Sequence, residues 1–243
     1  MSSQERRQHM TRQLMAVSLV MMMGAACGEG MEQPSSPVSD EAPELARQDL
    51  NTLPVVKELR THRQGCDYVL RVLQENGPYP YPVYYIYHVT VQSEVVTPGT
   101  CTLVPGTVEL GTSKLLPDIA LVSNTEGIVA AYSSGEYFRG MGNVGRVNIH
   151  RLDPNTLGSL RVTGLASSLV PANGGAGAGR AAYLGALTLQ LGYIEVSGTF
   201  TGNSLYEYPA TIPWPYPIVT GTNFVAIYPN FYSSTMSPYI RTF

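Results

Sequence analysis

The sequence predicts an all-β fold, a single antiparallel β-sandwich set behind a signal segment and a flexible linker; a β-barrel is the alternative. Three observations lead there. The chain is only 14% charged, with 24 Gly, 18 Pro and 16 Tyr in 243 residues, which suits a β domain better than a helical one. Its apolar residues alternate with period two in several segments. Turn-forming residues separate those segments. From Cys66 onward roughly 180 residues remain, enough for one real core.

Taken in order, a first strand candidate covers residues 67–73. In YYIYHVTVQSEVV, Tyr85, Tyr87, Val89 and Val91 point one way, and Tyr84, Ile86, His88 and Thr90 the other. Residues 102–110, 118–122 and 127–132 are shorter candidates. In RVNIHRL, Val147 and Ile149 alternate with Arg146, Asn148 and His150. DPNTLG, from Asp153 to Gly158, is a turn signal: Pro presets φ, Asn tolerates left-handed geometry and Gly ends the turn. SLRVTGLA then alternates Leu160 and Val162 with Arg161 and Thr163, so an antiparallel hairpin is expected here. ALTLQLGYIEVSGTF sets Leu187, Leu189, Leu191 and Tyr193 against Thr188, Gln190 and Gly192; a Leu-rich run can be helical, but the period here is two, that of strand. Residues 217–228 close the series.

The first 26 residues read as a targeting segment. Arg6, Arg7 and Arg12 precede an apolar run from Leu14 to Met23, as in a signal peptide. Ten helical residues span only about 15 Å, too short to cross a bilayer. Gly24-Ala25-Ala26 supplies small residues for cleavage. Ala25-Ala26-Cys27 resembles the lipobox of bacterial lipoprotein precursors, although Gly24 stands where that family prefers Leu, Val or Ile. The resemblance implies that Cys27 is lipidated and becomes the new N-terminus, anchoring the chain to a membrane. Gly28 follows it where Asp would favour inner-membrane retention, so the implied location is the outer membrane of the cell envelope. A plain secreted protein and an uncleaved core helix are the competing readings.

With Cys27 assigned to lipid, Cys66 and Cys101 are the other two of three cysteines, a natural disulfide in an oxidising compartment. Two separate thiols are the other reading. Residues 27–62 form a linker and lead-in: Pro34, Pro37 and Pro43 break any helix in a stretch rich in Ser and acid. Leu45 to Arg63 is expected to be a short helix or irregular. The domain proper is placed at residues 63–243. Its pattern of Gly145-Arg146-Val147-Asn148-Ile149, a turn, a second strand and a late Ser197-Gly198-Thr199-Phe200 resembles β-rich lipoprotein domains of unknown function. That likeness implies no catalytic residues.

Chemistry-bearing motifs are few. Gly140-Met141-Gly142-Asn143-Val144-Gly145 matches G-x-G-x-x-G, but a strand follows rather than a helix, so a glycine-rich turn or bulge is expected and no dinucleotide. Ala172 to Arg180 is Gly-rich but lacks the Lys-Ser/Thr of a phosphate loop. A net charge of −3 leaves nothing to track phosphates, so nucleic acid is not an expected partner. No metal-ligand spacing occurs and no cofactor is expected. His62, His88 and His150 are far apart in sequence, as are Asp118, Glu126, Glu136, Asp153, Glu195 and Glu207; a hydrolase site would have to be assembled in space.

The aromatic segments carry the leading functional expectation. NGPYPYPVYYIYH and YPATIPWPYPIV share a Pro-Tyr-Pro core. Pro places each at an edge or in a loop. Rings packed on prolines could simply stiffen loops. Alternatively Tyr79, Tyr81, Trp214 and Tyr216 form a platform on which sugar faces stack or a protein partner docks. The expected function is therefore a lipid-anchored binding module for a glycan or protein partner. A secreted hydrolase and a purely structural envelope component are the alternatives.

Overall fold

A computed structural model of the chain describes residues 49–77, 85–96, 101, 105–138, 142–168, 180–190, 192–202, 204–208, 222–233 and 235–243. A 3-10 turn at Leu50–Thr52 is followed by thirteen strands: β1 Val55–Arg63, β2 Cys66–Asn76, β3 Tyr85–Val95, β4 Thr107–Ser113, β5 Ile119–Ser123, β6 Ile128–Phe138, β7 Gly142–Leu152, β8 Ser159–Ser168, β9 Arg180–Gln190, β10 Tyr193–Phe200, β11 Ser204–Tyr208, β12 Asn223–Pro229 and β13 Tyr239–Thr242. Among the described residues no helix is long and apolar enough to cross a membrane.

The strands form a four-stranded sheet, β1-β2-β3-β4, and a nine-stranded sheet that branches at β7. One edge of β7 pairs with β6 along its whole length. The other edge is divided: β8 takes Arg146 to Leu152, and β9 runs parallel to Val144 and Gly145. All other pairings are antiparallel, and the sheets end in open edges rather than closing into a barrel. The fold is thus a β-sandwich, as the sequence predicts.

The branch gives the sandwich two cores. In the first, Val129, Ala131, Val147, Ile149 and Leu165 of the β6-β7-β8 layer meet Leu184, Ile194, Val196, Phe200, Phe224 and Tyr228 of the β9-β10-β12 layer. In the second, Ile128, Ala130, Tyr132 and Leu152, from the opposite face of β6 and β7, meet Tyr68, Leu70, Val89 and Val91 of the four-stranded sheet. Successive strand residues point to opposite faces. A strand covered on both sides is therefore apolar without alternation, which is why Ile128 to Tyr132 reads as the unbroken run IVAAY.

The Cys66–Cys101 disulfide closes a loop of 35 residues and lies in the second core, with both half-cystines buried. Cys27 lies outside the described residues.

Several elements depart from the sequence reading. Of the lead-in at 45–63, the described residues hold a single 3-10 turn at Leu50–Thr52 and then a strand, where a short helix or irregular chain is expected. After Pro54 the chain runs as β1, paired to β2 through a two-residue turn in which Gln64 and Gly65 have φ of 50° and 74°; two successive left-handed residues suit the twist of a tight hairpin. The sheet therefore begins at Val55, ahead of the expected boundary at 63. Lys57 Nζ reaches the Pro117 carbonyl at 2.7 Å and Arg63 Nε the Asn124 carbonyl at 2.8 Å, so β1 is tied to β5 by long cationic side chains. The Leu-rich run at 186–200 is two strands. Gln190 pairs with Tyr193 and Gly192 sits at φ 80°, a conformation a glycine adopts at no steric cost. The 7–8 hairpin forms as expected, with Asp153 Oδ1 accepting from the Asn155 and Thr156 amides at 2.7 and 3.2 Å. Its left-handed residue is Leu157, at φ 60°, not Asn155; Leu157 is drawn there by burial of its side chain in the second core. Gly142 and Gly145 of the G-x-G-x-x-G match lie within β7, paired to Phe138 and Gly135, and Gly140 lies outside the described residues.

In strand β8 the alternation does not specify which face is buried. Thr163 and Leu165 are buried, whereas Leu160 and Val162 are more than half exposed. The four-stranded sheet covers β6 and β7 but stops short of β8 and β11, leaving that part of the layer open on one side.

Candidate functional site

The uncovered end of the β7-β8-β11 layer is the floor of an open cleft of about 570 Å³, within the range of ligand sites. Arg146 of β7, Ala166 and Ser167 of β8, and Tyr206 and Tyr208 of β11 line it, with Ile86 of β3 and Thr112 of β4 opposite. Register explains the convergence: Arg146 pairs with Ala166 and Ala166 with Tyr206, while Asn148 pairs with Gly164 and Gly164 with Tyr208. Directly opposed residues share a face, so polar β7 side chains and β11 tyrosines meet on the side that no sheet covers.

Arg146 is held from two directions. Its Nε donates to Asn148 Oδ1 at 3.0 Å, and Asn148 is fixed in turn by donating to Ser134 Oγ at 2.8 Å. Its guanidinium carbon lies 4.5 Å from the centre of the Tyr208 ring, a cation–π contact. Nη1 and Nη2 have no acceptor among the described residues. Arg180, exposed at the start of β9, and Lys114 add two more cations; among the described residues Glu136, paired with Lys114, is the one acid lining the cleft.

Tyr79, Tyr81, Trp214 and Tyr216, the residues singled out by sequence, lie outside the described residues. Two described residues of the quoted aromatic stretches, Ile86 and Tyr208, line this cleft. Sequence reading placed Arg146 and Asn148 on a polar strand face and did not see the cleft. The signal available was an Arg and an Asn two apart in β7 and two tyrosines two apart in β11, which lies two strands away across β8.

The histidines are dispersed. His88 is bridged by two carboxylates on the outer face of the four-stranded sheet, Nδ1 to Glu109 at 2.7 Å and Nε2 to Glu75 at 2.8 Å. His150 is buried, 5.8 Å from Tyr132 in a stacked arrangement, with Nδ1 3.0 Å from Ser159 Oγ. Burial lowers its pKa to about 4. His62 meets Asp67 at 2.7 Å. Among the described residues, no histidine is hydrogen-bonded to both a serine and a carboxylate, the minimum for a nucleophile–base–acid relay.

Four of the acids that the sequence offers for spatial pairing have other partners. Asp118 pairs with Lys57, Glu136 with Lys114, and Glu207 accepts from Thr163 at 2.7 Å beside Arg161, while Asp153 caps its turn. Among the described residues no group of three potential metal ligands converges.

Comparisons of the chain with protein-family models, with curated proteins and with solved structures found no match.

Proposed function

We propose that this chain is a lipid-anchored cell-envelope protein whose β-sandwich is a binding module for a glycan or protein partner. The open cleft at the end of β7, β8 and β11 carries the reading. It combines tyrosine rings with cationic side chains, and Ile86 and Tyr208 of the two aromatic stretches are among its lining residues. Rings offer flat apolar area at low entropic cost, and the flanking polar groups set orientation. The anchor rests on the lipobox-like Ala25-Ala26-Cys27 and the proline-rich stretch behind it.

A glycan array probed with the purified full-length chain tests the module. Binding that falls at least about tenfold in Tyr208→Ala, and falls again in Trp214→Ala, is the expected result. Binding to a glycan that neither variant alters would move the site elsewhere, and the absence of binding to any glycan would leave a protein partner. Intact mass tests the anchor: the mature chain should begin at an acylated Cys27, and an unlipidated, cleaved product would refute it.

A further inference from the structure

We propose that the ligand of this cleft is an acidic saccharide whose anionic group is received by Arg146, a specification that rests on the binding-module reading above. An arginine can offer two parallel N–H groups to one carboxylate, and the pairing is strongest when the guanidinium is already oriented. Arg146 meets that condition. Asn148 holds its Nε, the Tyr208 ring lies against its face, and the Nη1–Nη2 edge is left without an acceptor among the described residues. Ser134 fixes Asn148 from below, so the fork rests on β6 and β7, two paired core strands, rather than on a loop.

The surroundings have the matching sign. Among the described residues, Arg180 and Lys114 join Arg146 against the single acid Glu136, which already faces Lys114. An open cleft with an excess of one charge sign raises the local concentration of counter-charged ligand. The chain as a whole is negative, so this concentration of cations is local to the cleft. The lining favours a sugar over an acidic peptide. Among the described residues Ile86, Val144 and Ala166 are its aliphatic side chains and form no deep pocket for a hydrophobic anchor, whereas Thr112 and Ser134 add hydroxyls.

Titration of the full-length chain with four probes of similar length tests this: oligogalacturonate, its methyl ester, sulfated dextran oligosaccharides and neutral dextran oligosaccharides. Oligogalacturonate should bind, and the methyl ester should bind about tenfold or more weakly because the fork has lost its acceptor. A sulfated arm that outcompetes the carboxylate would assign the anionic group as a sulfate ester and keep the proposal. Arg146→Lys retains the charge but not the fork, and should cost about tenfold or more in affinity with thermal stability unchanged. Asn148→Ala, which frees the fork to rotate, should weaken binding by a smaller factor.

Four results would overturn the proposal. In a fifth arm, oligoglutamate binding as tightly as oligogalacturonate would show a charge sink without sugar recognition. Equal binding of acid and ester would show that the anionic group is not read. Binding of neutral glycans alone, lost in Tyr208→Ala, would refute the acidic specification while leaving the binding module standing; no binding by any saccharide would remove the glycan module itself.

Discussion

Gly198 sits where β10 shifts register against β9, and a Cβ there would lie 1.9 Å from the Tyr183 carbonyl oxygen and 3.0 Å from the Phe224 ring. Gly145 is similarly closed, with the Ser134 carbonyl oxygen 2.5 Å from a would-be Cβ. These are the two glycines of the sequence patterns that suggested a β-rich lipoprotein domain, and each is there because backbone passes too close for any side chain. Gly198→Ala is expected to destabilise by about 1–3 kcal/mol, as overpacking does, read by urea unfolding. His150 gives a pH signature. Its native pKa of about 4 lies below the ordinary 6.5, so the unfolded chain takes up the proton first as pH falls. Stability is full above about 6.5 and declines towards about 4, where the native state begins to protonate too; the loss is on the order of 3 kcal/mol. Urea midpoints at pH 7.5 and 4.5 should differ less in His150→Gln than in the parent, and an equal difference would show that the acid sensitivity comes from other groups.

Among the elements, the disulfide links the start of β2 to Cys101, ahead of β4, in the second core. Constraining a 35-residue loop stabilises by about 3–4 kcal/mol in the chain-entropy account. Cys66→Ala/Cys101→Ala should therefore lower the unfolding free energy by about that amount while leaving the far-ultraviolet circular dichroism of the folded protein intact. Legibility also differed by element. The hairpin of β7 and β8 was plain in sequence because its turn residues and its alternation agree. Strand β1 was not, since Leu50, Leu53, Val56 and Leu59 mimic a helical spacing, and only pairing to β2 makes the segment extended. Strand β8 buries Thr163 and Leu165 and exposes Leu160 and Val162, an orientation its alternation does not specify. Alternation shows that two faces differ, but which is covered depends on where the neighbouring sheet ends. The cleft was hidden for the same reason: Arg146, Asn148 and Tyr208 meet through register across three strands, and no local pattern encodes that.

At the scale of the whole molecule, β6 is the shared wall of two cores. Ile128 faces the four-stranded sheet and Val129 faces the β9-β10-β12 layer. Ile128→Ala should cost about 2–5 kcal/mol and Val129→Ala a similar or smaller amount. Both should shift one common transition, because neither core keeps its wall without the other. Two separable transitions, seen as different midpoints by near- and far-ultraviolet circular dichroism, would show instead that the layers unfold independently. The open end of the sandwich, where the wall extends past its cover, is what leaves Arg146 and the tyrosines in reach of a ligand.

The divided edge of β7 has a kinetic consequence. Strands β5 to β8 follow one another as neighbours in sequence, so that meander closes only short loops, whereas β9 joins β7 by two parallel pairs, Val144 to Arg180 and Gly145 to Ala181. Loop-closure entropy favours the meander forming first, with β9 and β10 docking onto it afterwards through the first core. Conservative truncations should then slow refolding when made in β6 or β7, as in Ile149→Val, and chiefly speed unfolding when made in β10 or β12, as in Val196→Ala. On this view, the strand that supports the binding fork is also among the first parts of the chain to reach its final place.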